Sequence, residues 1–260
     1  MDRTRRERVR EILVSKPFTA LSELEEKFPE VSSMTLRRDI EYFEEKGDVI
    51  KVRGGARAMH FITLTLEDTY YKRSLEASHD KERIAAAAVR FIETGRSIFF
   101  DSGTTVMQLV PRLPDEKLTI STSDPNIALA LVKKEHAVVN VIGGSLNRSN
   151  LSLSGQMALH FVESTNIDVA FLSPSGFSLE CGFTSGNYNE SLLKKAIVEK
   201  ARLVVALLTS SKIGKSMPHT FAQLSDVDIF ITDVDPGEEI REACKEAGVT
   251  LIVAENKDQD

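Results

Sequence analysis

Two cysteines, Cys181 and Cys244, lie far apart and in no ligand-like spacing. That excludes a disulfide framework and a thiolate metal site, and fits a reduced, cytoplasmic setting. Tryptophan is missing, and the four Tyr and thirteen Phe are scattered, so no stacking platform for single-stranded nucleic acid is expected. Long hydrophobic runs are absent. The run Leu203–Leu208 is six residues, against the roughly 20 that a membrane span needs. The N-terminus is charged and has no apolar core, so no signal peptide is expected. The five histidines (60, 79, 136, 160 and 219) show no ligand spacing, and neither a metal nor a cofactor is expected. Excess positive charge is missing too. A net charge of −6 argues weakly against nucleic acid, since a purely electrostatic binder would be basic.

What is present changes along the chain. Residues 1–58 hold 13 Lys/Arg against 12 Asp/Glu, net +1, while the remainder holds 20 against 27, net −7. The basic residues of the first part cluster near Arg3–Arg10, at Arg37-Arg38, and from Lys51 to Arg57. Apolar Val9, Ile12 and Leu13 predict a helix over Arg5–Val14, stopped by Pro17. Thr19 is expected to cap a second helix with Leu21, Leu24 and Phe28 inside. Ser32 or Ser33 caps a third, which runs through Leu36, Ile40 and Phe43 to Gly47 at C′. A strand, Val49–Val52, follows. Three short helices and a strand predict a winged helix-turn-helix in residues 1–57.

In that layout the third helix is the DNA reader. Ser32, Ser33, Met34 and Thr35 lie at its start. Arg37 and Arg38 point about 100° apart, so one can face a groove while the other reaches phosphate. The plainer alternative is that Arg38 pairs with Glu41 or Glu45 on a solvated face. Lys51, Arg53 and Arg57 would contact DNA from the wing. Gly54-Gly55 serves a tight turn.

Residues 58–75 fit no core element and read as a linker. From 76 to 260, near-continuous apolar strands alternate with helices, which predicts an α/β domain with both sheet faces covered. Strands are expected at 97–100, 118–122, 138–142, 168–172, 203–208, 228–232 and 249–253, and helices at 80–92, 105–113, 125–134, 192–200 and 238–247. Ligands of such domains bind at the carboxyl ends of strands. There lie Asp101, Ser102, Gly103, Thr104 and Thr105, whose amides and hydroxyls suit an anion. Thr122, Ser123, Gly144 and Gly176 end other strands, and Lys194 and Lys212 could supply charge for a phosphate.

Two stretches carry a family resemblance. Val31-Ser32-Ser33-Met34-Thr35-Leu36-Arg37-Arg38-Asp39-Ile40, with Arg53-Gly54-Gly55-Ala56, resembles the N-terminal motif of the DeoR family of bacterial transcriptional regulators. Asp101–Thr105, Gly143-Gly144, Leu153-Ser154-Gly155, Phe171–Gly176, Ser211-Lys212 with Gly214, and Thr232-Asp233 resemble its sensor domain in order. The resemblance implies a Rossmann-like fold similar to ribose-5-phosphate isomerase and the CoA transferases. It also implies a phosphorylated sugar or related metabolite as effector. Thr122-Ser123 stands where the family usually has Thr-Asn, and Thr209 where it usually has Asp, so the effector's identity stays open.

The expected function is therefore a DNA-binding regulator, a repressor by expectation. A homodimer or homotetramer would present paired half-sites to operator DNA. The alternative is a sugar-phosphate isomerase with an accessory DNA-binding domain. It would draw a base from Asp101, Asp168 or Glu190 and an electrophile from Lys194 or Lys212.

Overall fold

The structure, a computed structural model, describes residues 2–16, 18–58, 73 and 76–254. The chain divides into two compact units, Met1–Glu67 and Asp68–Asp260. The expected helix stop at Pro17 and nearly all of the expected linker 58–75 lie outside the described residues.

The first unit orders its elements as α1 (Asp2–Val14), β1 (Phe18–Ala20), α2 (Leu21–Lys27), α3 (Ser33–Glu45), β2 (Val49–Val52) and β3 (Gly55–Ala58). Val9, Leu13, Leu24, Phe28, Leu36, Ile40, Phe43, Val49 and Ala56 form its core. Ser32 is the N-cap of α3, its hydroxyl accepting from the Thr35 amide. Gly47, at φ +77°, ends the helix as a left-handed C′ residue. Thr19 does not cap α2; the N-cap is Ala20, with no side-chain bond. Thr19 is fully buried in β1, and its hydroxyl donates to the Ile12 carbonyl.

The wing has three antiparallel strands in the order β1-β3-β2. Gly54 turns between β2 and β3 at φ +86°. A Cβ on Gly55 would lie 2.1 Å from the Thr19 carbonyl oxygen, so only glycine lets β1 pair there. The Leu21 amide donates to the Gly54 carbonyl, which ties the wing tip to α2.

Polar contacts set the helix arrangement. Asp39, only 1% exposed, accepts from Arg5 Nε at 3.2 Å and Arg6 Nε at 2.9 Å. One buried carboxylate thus fastens α1 to α3. Arg10 adds a two-pronged pair to Asp48 just beyond α3, at 2.7 and 2.9 Å.

The second unit contains α4 (Ser78–Ala88), β4 (Ser97–Phe100), α5 (Thr104–Met107), β5 (Thr119–Thr122), α6 (Pro125–Leu131), β6 (Val138–Val141), β7 (Ser145–Leu146), β8 (Leu153–Ser154), α7 (Gln156–Glu163), β9 (Ile167–Leu172), β10 (Gly176–Ser178), β11 (Gly182–Ser185), α8 (Tyr188–Lys200), β12 (Ala201–Leu207), β13 (His219–Ala222), β14 (Ile229–Thr232), α9 (Glu238–Ala247) and β15 (Thr250–Val253). Seven strands form one sheet in the order β15-β14-β12-β9-β4-β5-β6, every recorded pairing parallel.

The apolar runs are continuous because both faces are covered. Phe99, Ala170, Leu172, Val204, Ala206 and Phe230 enter one core with α7, α8 and α9. Ile98, Phe100, Phe171, Val205, Leu207 and Ile231 enter the other with α4 and α6. The sheet grows outward in both directions from the β4–β9 contact. That contact is the topological switch point, the place at which doubly wound sheets as a class bind their ligands.

Three expectations change here. The helix foreseen over 105–113 is the short α5 followed by a 3-10 turn, Val110–Arg112; Pro111 has no amide to continue an α-helix. Helix α7 and the antiparallel sheet β10-β11-β13 were not foreseen. Asn187, whose side chain accepts from the Glu190 amide, starts α8 earlier than expected.

Asp39→Ala should remove both arginine contacts and lower the stability of the first unit by about 2 kcal/mol, the usual scale for bonds to charged groups. Amide exchange of α1 and α3 in the full chain measures this, and unchanged protection would reject the role given to Asp39.

Candidate DNA-reading face and effector site

The expected DNA-reading residues are carried by the start of α3 and by the wing of the first unit. Ser32, Ser33, Arg37, Arg38, Lys51, Arg53 and Arg57 are exposed, Thr35 is half-buried, and Met34 stands out at 63%. Arg37 lines a small cavity with Lys51, Val52, Gly54 and Gly55, so the helix and the wing tip share a surface. Arg37 and Arg38 make no ion pair among the described residues; Glu41 is taken by Lys51 instead. The Lys51 bond, with the charges of Arg38 and Arg37, holds the Glu41 carboxyl below its ordinary value. Lys51 thereby latches the wing to α3. The first basic cluster has a different use. Arg5, Arg6 and Arg10 bind Asp39 and Asp48, and Arg8 lies 5.3 Å over the Phe28 ring.

In the second unit, Asp101 ends β4 and Ser173 ends β9, so both flank the switch point. Lys194, wholly buried on α8, reaches between them. Its ammonium donates to Asp101 Oδ2 at 2.6 Å and to the Ser173 carbonyl at 3.1 Å, and pairs with Glu190 Oε1 at 3.0 Å. The Phe221 ring lies 5.6 Å from it. Asp101 Oδ2 also accepts from the Ser173 amide. Glu190 Oε2 accepts from Asn150 Nδ2 at 2.5 Å and from the Ser152 hydroxyl. Burial, reinforced by the Glu190 charge, pushes Asp101 up to about 6 despite Lys194. Burial acts the same way on Glu190, but Lys194 and the Asn150 bond outweigh it, and its carboxyl stays below the ordinary value.

The loop beside this cluster is braced from the next strand. The Ser102 amide donates to Ser123 Oγ at 3.0 Å, and the Gly103 amide to Asp124 Oδ2 at 3.4 Å. Thr122 Oγ1 accepts from the Asp124 amide. Asp124 also caps α6 through the Asn126 and Ile127 amides. Gly103 sits at φ +153°, and a Cβ there would lie 2.6 Å from Ser173 Oγ, so the loop lies tight against β9. Thr104 is buried. The fully buried Thr105 hydroxyl has no hydrogen-bond partner among the described residues.

The remaining expected residues divide. Lys212, half-buried after β12, donates to the Pro174 carbonyl at 2.9 Å. Gly144 and Gly176 are places of close backbone approach, to Ser154 and Lys215. Lys194 lies between two carboxylates and is a brace of the site more than a free phosphate charge. Asp168 starts β9 at the opposite sheet edge, bonded to Ser97 and paired with Arg202, so it is not a candidate base. Asn150 and Ser152 were not foreseen at the site. Asp124, which caps the helix after Ser123, and Ser173, in the strand-end run to Gly176, were expected at this sheet edge but not as binding residues.

Residues 76–234 match the DeoR C terminal sensor domain, and residues 5–61 the DeoR-like helix-turn-helix domain. The chain belongs to the DeoR family of transcriptional regulators. Similar proteins include the HTH-type transcriptional regulator GlpR of Haloferax volcanii, 34% identical over 85% of this chain and 86% of that one. IolR of Bacillus subtilis is 32% identical over 94% of this chain and 96% of its own. The transcriptional repressor GlcR of the same organism is 30% identical over 87% and 86%. Among solved structures, ribose 5-phosphate isomerase A from Methanocaldococcus jannaschii aligns with 52% of this chain and 54% of its own, at 15% identity and a TM-score of 0.38. Among the described residues of this DeoR-family chain, no helix is long and apolar enough to cross a membrane.

The raised Asp101 carboxyl has a stability consequence. The folded chain holds that proton more tightly than the unfolded chain, whose carboxyl titrates near 3.8. The Asp101 contribution to stability should therefore fall as pH rises from about 4 to about 6, and stay flat above. Urea midpoints across that range measure it. Asp101→Asn should flatten that stretch of the profile, and an unchanged profile would refute the assignment.

Proposed function

We propose that this DeoR-family regulator reads duplex operator DNA with α3 and the wing, and that a phosphorylated sugar or related metabolite controls its affinity. On this reading Arg37 and Arg38 divide groove and phosphate contacts. Met34 offers an apolar surface to a thymine methyl, and Arg53 and Arg57 approach the backbone from the wing. Their exposure, with Arg37 and Arg38 in no ion pair among the described residues, supports the assignment.

The effector is proposed to bind at the switch point, its phosphoryl group held by the loop Ser102–Thr105 and its hydroxyls by groups at neighbouring strand ends. The observation that carries this is the loop itself. It is braced by Ser123 and Asp124 against a tight backbone approach, and it ends on a buried Thr105 hydroxyl that has no partner among the described residues. A buried polar group in that state is costly unless something satisfies it. The loop also lies at the switch point, where ligands of doubly wound sheets bind.

Repression relieved by the effector is the proposed sign. Two similar proteins are named repressors, GlcR and the putative aga operon repressor of Escherichia coli O157:H7. A homodimer or homotetramer, working in the cytoplasm, would supply the paired half-sites. The isomerase alternative loses support because Asp101 and Glu190 share one buried ammonium and Asp168 lies elsewhere.

Arg37→Ala should weaken operator binding at least about tenfold while leaving effector-induced thermal stabilisation intact. Thr105→Ala should do the reverse, keeping DNA affinity and losing the effector response. Gel-shift titrations and melting curves on both variants separate the two sites. An Arg37→Ala variant with normal operator affinity would remove α3 from the reading.

A further inference from the structure

The seven-stranded sheet has two edge strands, β15 and β6, and their surfaces differ. On β15, Leu251, Ile252 and Val253 are half-buried. On β6, Val138 is 60% exposed and Val141 48%. Helix α6 packs against β6, and Leu129 on it and Val132 at its end are 71% and 74% exposed. At the other end of β6, a Cβ on Gly143 would lie 3.9 Å from that of the exposed Met157. Six exposed large apolar side chains fall between Leu129 and Met157, against three in the rest of the second unit's described residues. Apolar surface gathered in one place marks a contact.

The backbone of this edge is open as well. The Val138 amide donates to the Leu118 carbonyl and the Ile142 amide to the Thr122 carbonyl. Alternation along the strand then turns the amides and carbonyls of Val139 and Val141 away from β5. Exposed edges are usually guarded by a charge, a proline or a bulge. Residues 138–144 contain no charged residue and no proline, and β6 pairs with β5 without a shift in register. Side chains just before the strand are drawn back from it. Lys134 donates to the Leu113 carbonyl at 2.6 Å, and His136 Nδ1 lies 3.3 Å from Asp115 Oδ1.

A row of free amides and carbonyls is matched by another strand, and β6 can be that strand for itself. Laid antiparallel about a two-fold axis at Asn140, Val139 of each copy faces Val141 of the other. The outward amides and carbonyls of both residues are then satisfied in both copies. No like charges meet across the axis, because the strand has none. A standard interface buries roughly 800 Å² per partner, a little over half of it apolar, and six apolar side chains about half exposed or more supply on the order of 300 Å² of that. One chain carries one helix-turn-helix unit, whereas paired half-sites take two.

We propose that β6 pairs with β6 of a second copy of this chain, joining two sensor units into one continuous sheet. This rests on the reading that operator binding takes two DNA-reading units.

Light scattering on the full-length chain, eluted from a sizing column, tests it. Wild type should show twice 28.9 kDa, or four times. Val141→Pro removes an outward amide and leaves the bonds to β5 in place, and Val138→Lys puts a charge on the edge. Each should halve the mass with the melting transition kept, and should weaken operator binding at least about tenfold as the second DNA contact is lost. Residues facing each other at the axis lie about 4.5 Å apart in such a ladder, within disulfide reach, so mild oxidation of Asn140→Cys should give a covalent dimer that wild type does not. A single-copy mass in a wild type that still binds operator would overturn the interface and leave the DNA reading in place, the edge then being open to a strand of another protein. Wild-type mass in both edge variants would overturn the proposal, and so would the absence of the Asn140→Cys cross-link. Halved mass with unchanged operator affinity would keep the β6 interface and overturn the need for two DNA-reading units. If Val141→Pro does not fold, Val138→Lys and Asn140→Cys decide.

Discussion

A fully buried ammonium cannot be left without counter-charges, because removing it from water costs several kcal/mol even after the surroundings relax. Lys194 is such a group, and the sensor unit is arranged around its needs. Partners of its ammonium lie at the end of β4, at the end of β9 and one turn earlier on α8. Asp101 and Ser173 are 72 positions apart and come together because β4 pairs with β9. The ion cluster therefore ties the ends of β4 and β9 to α8. Through Glu190 it extends to Asn150 and Ser152, and so fixes the loop ahead of β8 as well. Preorganisation of this kind lowers the ordering cost of binding.

The DNA-reading unit uses the same device with the sign reversed. There the buried charge is the carboxylate of Asp39, and arginines from α1 satisfy it. One tripeptide, Arg37-Arg38-Asp39, thus faces two ways. The arginines point to solvent and the aspartate points to the core. The pairing also sorts the basic residues. Arg5, Arg6 and Arg10 pair with Asp39 and Asp48, whereas Arg37, Arg38, Arg53 and Arg57 are exposed and in no ion pair among the described residues. Residues 1–58 therefore carry exposed arginines on α3 and the wing although their net charge is only +1.

Much of this was legible in the residues. The 3.6-residue spacing of Leu36, Ile40 and Phe43, the serine cap and Gly47 define α3 locally. The apolar strands of the parallel sheet are recognisable because both faces are covered. Local signals failed where tertiary contacts decide. Thr19 has the chemistry of a cap, yet strand pairing with β3 draws it into the core. The short strands β10, β11 and β13 owe their place to Phe177, Phe183 and Phe221 packing on one sheet face with Phe230. The strand-end loops near Asp101 and Ser123 could be found from pattern. The true surroundings of Lys194 could not, because Asp101 lies 93 positions away. The contribution of Asn150 likewise depends on a contact across 40 residues.

Two sites on one chain form a switch only if occupancy of one changes the affinity of the other, and that coupling must be reciprocal. The most direct test is to measure operator affinity with and without a saturating phosphorylated sugar, and sugar affinity with and without saturating operator. The predicted result is the same factor in both directions, between about 5-fold and 150-fold. Tight binding at both sites with a factor of one would contradict the link between the switch point and the DNA-reading face.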